Sequence, residues 1–160
     1  MRKRSKYRPK GVRLDNMTWV QAGLQKLDAL SAGTTLKIRN HDAMNNIRMG
    51  VATRQDIDSV IDAFNVAEAL ARRGVGADWA TEIRAAQDAL LVLARRGVER
   101  GFRFIVKAEE LVAMNLGMEI HDAQLDAVTV KELEGAMNDV MENLKHKRMR
   151  AVVTTKEQTT

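Results

Sequence analysis

The chain has 160 residues, no cysteine, one proline and a formal net charge of +5. That length is enough for one domain with a genuine core. The missing cysteines exclude disulfides and thiolate metal sites, which fits a reducing cytosol. The longest apolar run, ALLVLA from Ala89 to Ala94, is far shorter than the roughly 20 residues of a bilayer span. No apolar core follows the basic N-terminus, so a signal peptide and a membrane partner are not expected.

The charge divides unevenly. Residues 1–13, MRKRSKYRPKGVR, carry seven basic and no acidic side chains. Residues 14–144 hold fourteen basic and twenty acidic ones, and residues 145–160 five basic and one acidic. This is an acidic body with two basic ends, a pattern that delivers positive charge on terminal elements rather than on a broad face. With a single proline and few aromatic residues, the body reads as helices. The expected organisation is a disordered basic arm over 1–16, a single all-α bundle of five to six helices over 17–150, and a disordered tail over 151–160.

In chain order, Trp19, Val20, Leu24, Leu27 and Leu30 recur at helical spacing from Thr18 to about Ser31, with Gly33 as the stop. A second helix, about Thr35 to Met49, places Leu36, Ala43, Met44 and Ile47 on one side and ends at Gly50, with TLKI as a possible extended piece. Thr53 and Asp56 form an acidic capping box for a third helix, whose stripe is Ile57, Val60, Ile61, Phe64, Ala67 and Ala71. The string LARRGV closes that helix at Leu70–Val75 and recurs at Leu93–Val98. In both places cations in a last turn followed by Gly read as a helix stop, which leaves Arg72, Arg73, Arg95 and Arg96 as secondary contacts for phosphate at most. Between the two copies a helix from about Ala77 to Arg96 should bury Trp79, Ile83, Ala86, Leu90 and Leu93.

From Lys107 to about Val128 the pattern is apolar nearly all round, broken by a strip of Asn115, Glu119, Asp122 and Asp126, and this helix is expected to be the central one. Thr129 and Glu132 cap the last helix. Its seam of Val130, Leu133, Met137, Val140 and Leu144 either docks on the body or pairs with a second copy as a homo-oligomer.

Chemistry is scarce. Glu119 and His121 stand about 200° apart on a helix and cannot share an ion. The pyrophosphohydrolase pattern, in which ExxE and ExxD pairs hold magnesium, finds Glu119–Asp122 but no ExxE. The HD dyad of metal phosphohydrolases finds His41–Asp42 and His121–Asp122, with only His146 left to complete it. There is no GxSxG elbow and no phosphate loop. A helix-turn-helix around Ala113 and Gly117 would present Asp122 and Asp126 to phosphates, so a continuous helix with Gly117 allowing close packing is expected instead. No catalytic residue, metal site or cofactor is expected.

The runs KYRPKGVRLDNM, RNHDAMNNIRMGVATRQDID and AMNLGMEIHDAQLDAVTVKELE resemble small, functionally unassigned proteins encoded by tailed phages of proteobacteria. The resemblance implies the host cytoplasm as a setting, and no chemistry. The residues themselves point to binding. Arg2, Lys3, Arg4, Lys6, Arg8, Lys10 and Arg13 can neutralise phosphates while Tyr7 stacks on a base, and Lys145, Lys147, Arg148 and Arg150 at the other end can add contacts. The expected partner is DNA or RNA, bound with little sequence preference; the alternative is an acidic host protein.

Overall fold

In the computed structural model, residue 24 and residues 31–146 are described. They form five α-helices and no strand, the all-α bundle that the periodicity predicts: α1 (Ser31–Met49), α2 (Arg54–Arg72), α3 (Ala80–Glu99), α4 (Ala108–Ala127) and α5 (Val130–Lys145). The basic arm, the segment from residue 147 onward and the helix expected from Thr18 lie outside the described residues, except for Leu24 of that helix's expected apolar stripe, which is an exposed turn residue instead.

Local chemistry sets most of the ends. Both capping boxes form: Thr53 Oγ1 accepts from the Asp56 N–H and Asp56 returns to the Thr53 N–H, and Thr129 with Glu132 does the same. Three helices stop at a left-handed glycine with the paired 6→1 and 5→2 hydrogen bonds of a Schellman turn. At Gly50 these are Val51 N–H to Asn46 O and Gly50 N–H to Ile47 O. At Gly74 they are Val75 N–H to Leu70 O and Gly74 N–H to Ala71 O. At Gly101 they are Phe102 N–H to Gly97 O and Gly101 N–H to Val98 O.

The third of these corrects an expectation. The second LARRGV does not stop its helix: Arg95, Arg96 and Gly97 lie inside α3, which runs on to Glu99. Gly97 is there for packing, since a Cβ at this position would fall 2.2 Å from Phe104 Cδ1. Gly33 is likewise no stop but a buried residue within α1, and TLKI is helical. Trp79 is not in the core. It ends a 3-10 turn, Ala77–Trp79, whose tighter winding swings the indole off the α3 stripe and leaves it 50 % exposed. Ile83, Ala86, Leu90 and Leu93 are buried as expected.

The central helix is α2 rather than α4. It packs against each of the other four, and Val60, Phe64, Ala67 and Leu70 are inaccessible to solvent. On α4 the second apolar side is only partly used, leaving Val112 and Leu116 at the surface. Gly117 does permit close packing: a Cβ there would lie 2.4 Å from Ala86 Cβ. On α5 the seam divides. Leu133, Ala136 and Val140 face the body, whereas Met137, Met141 and Leu144 are exposed.

Candidate functional site

The α1–α2 and α3–α4 connections come together at one end of the bundle. A Cβ at Gly50 would lie 3.6 Å from Ile105 Cδ1, and the Arg54 guanidinium sits over the Phe102 ring, 5.2 Å from its centroid. The two connections read RMGVATR (48–54) and RGFRFIVK (100–107). Together they carry Arg48, Arg54, Arg100, Arg103 and Lys107 and no acidic residue, with Asp56, Glu99, Glu109 and Glu110 at the margins. None of the five cations forms an ion pair among the described residues; Arg48 donates to Asn45 Oδ1. Met49, Val51, Phe102 and Ile105 stand exposed among them.

Phe102 is the one non-glycine residue with positive φ among the described residues, at 64°. A side chain in the left-handed region costs about 1 kcal/mol. The turn separates two neighbouring aromatics: Phe104 is buried on Gly97, and Phe102 is turned outward with 49 % of its surface exposed. The loop between them is held from below. Arg96 grips Glu110 and donates to Ile105 O at 2.8 Å, while Glu110 accepts from the Lys107 N–H at 2.8 Å. The Arg96 hydrogen bonds, outweighing partial burial, hold the Glu110 carboxyl below its ordinary range. On the other side of the site, burial pushes the Asp56 carboxyl up, but hydrogen bonds from the Thr53 N–H, Asn46 and the Thr53 hydroxyl leave it below the usual value. Its contact with Asn46 Nδ2, at 3.0 Å, ties α1 to α2 beside the turn.

No family model, curated protein or solved structure matches the chain.

The binding residues expected from the sequence fall mostly elsewhere. Arg2, Lys3, Arg4, Lys6, Tyr7, Arg8, Lys10, Arg13, Lys147, Arg148 and Arg150 are outside the described residues. Lys145 is exposed in the last turn of α5 and donates to Glu142 Oε1 at 2.8 Å. Three of the four LARRGV arginines are engaged within the fold: Arg72 with Glu68, Arg73 with both oxygens of Asp139, and Arg96 with Glu110. Arg95 is exposed. The loop cations around Phe102 were missed because their meeting depends on two turns about fifty residues apart; the aromatic-cation string RGFRF was the available local signal.

Among the described residues the histidines do not assemble the dyad of the metal phosphohydrolases. His41 Nε2 lies 2.6 Å from Asp122 Oδ2, across from α1 to α4 and not beside Asp42, and Lys37 pairs with Asp126 one turn away. His121 is buried, and burial lowers its pKa to about 4 against the opposing pull of Asp122. No group of three or more His, Cys, Asp or Glu converges among the described residues. An open apolar cleft of about 350 Å³ lies between Trp79 and the α4 residues Leu116, Ile120 and Ala123, with Glu119 at its edge.

Proposed function

We propose that the protein acts by binding nucleic acid, with little sequence preference, through the basic N-terminal arm and the cationic end of the bundle. The observation that carries the reading is the Arg54–Phe102 contact, which joins two acid-free loops carrying five basic side chains, none of them in an ion pair among the described residues, into one patch around an aromatic ring. Clustered cations with interleaved aromatic side chains suit phosphate and base contacts together. The resemblance to tailed-phage proteins would make this a small accessory protein working in the cytoplasm of an infected bacterium.

Such binding is steep in salt, because every neutralised phosphate releases counterions. Four to seven contacts give a slope of about −3 to −6 in log affinity against log salt. Anisotropy titrations of labelled DNA and RNA across a salt series test this. Removing residues 1–13 should flatten the slope, as should changing Arg54, Arg100 and Arg103 to Gln together. Absence of salt-dependent retention of either nucleic acid at ~50 mM salt, where screening is weak, sinks the proposal.

A second reading, a module that binds protein, is favoured by the exposed Met137, Met141 and Leu144 of α5. Sedimentation over a concentration series tests whether this stripe pairs two copies.

A further inference from the structure

We infer that the Phe102 end of the bundle takes single-stranded nucleic acid, with an unpaired base stacked on the Phe102 ring and the flanking phosphates held by Arg54, Arg100 and Arg103. The inference rests on the nucleic-acid reading above and deepens it.

Phe102 is poorly suited to its turn. Glycine would adopt the left-handed backbone at φ 64° without a Cβ clash, and asparagine would tolerate it better than an aromatic residue does. Nor does the side chain serve the core, since Phe104, two residues on, fills the space against Gly97 while half of Phe102 remains in water. A strained backbone that presents an aromatic ring to solvent points to a contact made outside the fold.

The ring's surroundings narrow the occupant. The Arg54 guanidinium lies over the ring while about half of Phe102 is exposed, so a flat partner can share the ring with a cation placed to strengthen a stack and reach a phosphate. A duplex keeps its base faces covered by their neighbours and cannot use such a platform without extruding a nucleotide. An anionic membrane would match the charge and the exposed Met49, Val51 and Ile105. Yet a ring capped by a guanidinium would enter hydrocarbon only by carrying that charge along or shedding it, and either is costly. A single strand uses the exposed ring and the cations at once.

The full chain can be titrated with a labelled oligothymidylate, an abasic strand of equal length, a duplex, and vesicles containing phosphatidylserine. Phe102→Ala should weaken oligothymidylate binding about five- to 160-fold, the range of one lost stack, while leaving the salt slope unchanged. It should leave the abasic strand and the duplex bound as in the parent. Phe102→Tyr should restore the stack, and Phe102→Leu, which keeps apolar area without a flat face, should not. Equal binding of oligothymidylate by the parent and Phe102→Ala overturns the inference, as does full rescue by Leu. So does vesicle binding that exceeds strand binding and survives Phe102→Leu. Salt-steep binding indifferent to Phe102 would leave the broader nucleic-acid reading standing; failure to bind any nucleic acid removes both.

Discussion

Arg96 and Glu110 meet across the α3–α4 turn as a two-pronged pair, Nη1 to Oε1 at 2.7 Å and Nη2 to Oε2 at 2.6 Å, with only 15 % and 11 % of their side chains exposed. The pair sits beneath the loop that carries Phe102, so a residue available for phosphate by its sequence position is instead committed to shaping the site. Breaking one partner leaves the other charge partly desolvated.

Glu110→Gln should therefore lower the unfolding free energy by about 2–3 kcal/mol at neutral pH. The sign of its pH dependence follows from the depressed carboxyl. The contribution is complete above the ordinary value of 4.5 and is lost as pH falls through the lower folded value. Urea unfolding at neutral and acid pH should show the difference between parent and variant shrinking towards acid; a constant difference would mean that the pair is not what stabilises the turn.

The two LARRGV copies make a matched experiment. Gly74 has φ +94°, and a methyl added there would meet nothing within 4 Å, so Gly74→Ala should cost only the left-handed strain, about 1 kcal/mol. At Gly97 the new methyl would strike the Phe104 ring, and Gly97→Ala should cost about 2–3 kcal/mol and expose the α3–α4 loop to proteolysis. Thermal melts of the two variants side by side decide this. Equal losses would contradict the different roles assigned to the two glycines.

This contrast also marks what a sequence can carry. Thr53 with Asp56 and Thr129 with Glu132 were legible because a capping box is complete within four residues and needs no distant partner. The all-α class and the buried residues of α2 and α3 were legible for the same reason, periodicity being local. Gly97 was not, since a stop glycine and a packing glycine look alike until Phe104 is placed against one of them. Nor was the rank of the helices: α4 has the broader apolar surface, but centrality belongs to α2 because of where the chain returns. The Arg54–Phe102 contact lies beyond any window of helical spacing.

His121 should make stability fall in mild acid. Burial lowers its pKa from 6.5 to about 4, so between those values the unfolded chain binds a proton that the folded one refuses. Stability is fully present above 6.5 and declines towards pH 4, by about 3 kcal/mol in all. Asp122 and Gln124 soften the effect and Lys37 adds to it. His121→Gln should flatten this part of the profile; a profile as steep as that of the parent would place the titrating group elsewhere.

On α5, Val140 and Met137 separate the two roles of the seam. Val140→Asp should cost several kcal/mol, on the order of burying an unpaired charge, because Val140 is 9 % exposed against the body. Met137→Asp, at 50 % exposure, should leave the melting temperature within a degree or two yet abolish any self-association that uses the stripe. Losses of equal size in the two melts would contradict the division.

The way α5 is attached has a kinetic reading. Its main contact is with α2, which is itself enclosed by α1, α3 and α4. Amide protons of α5 should therefore exchange with solvent through an opening that costs less than global unfolding, while those at the middle of α2 wait for the whole molecule to open. The bundle would then breathe from its C-terminal helix, with the loops around Phe102 and Arg54 anchored to the slowest-exchanging part of the chain.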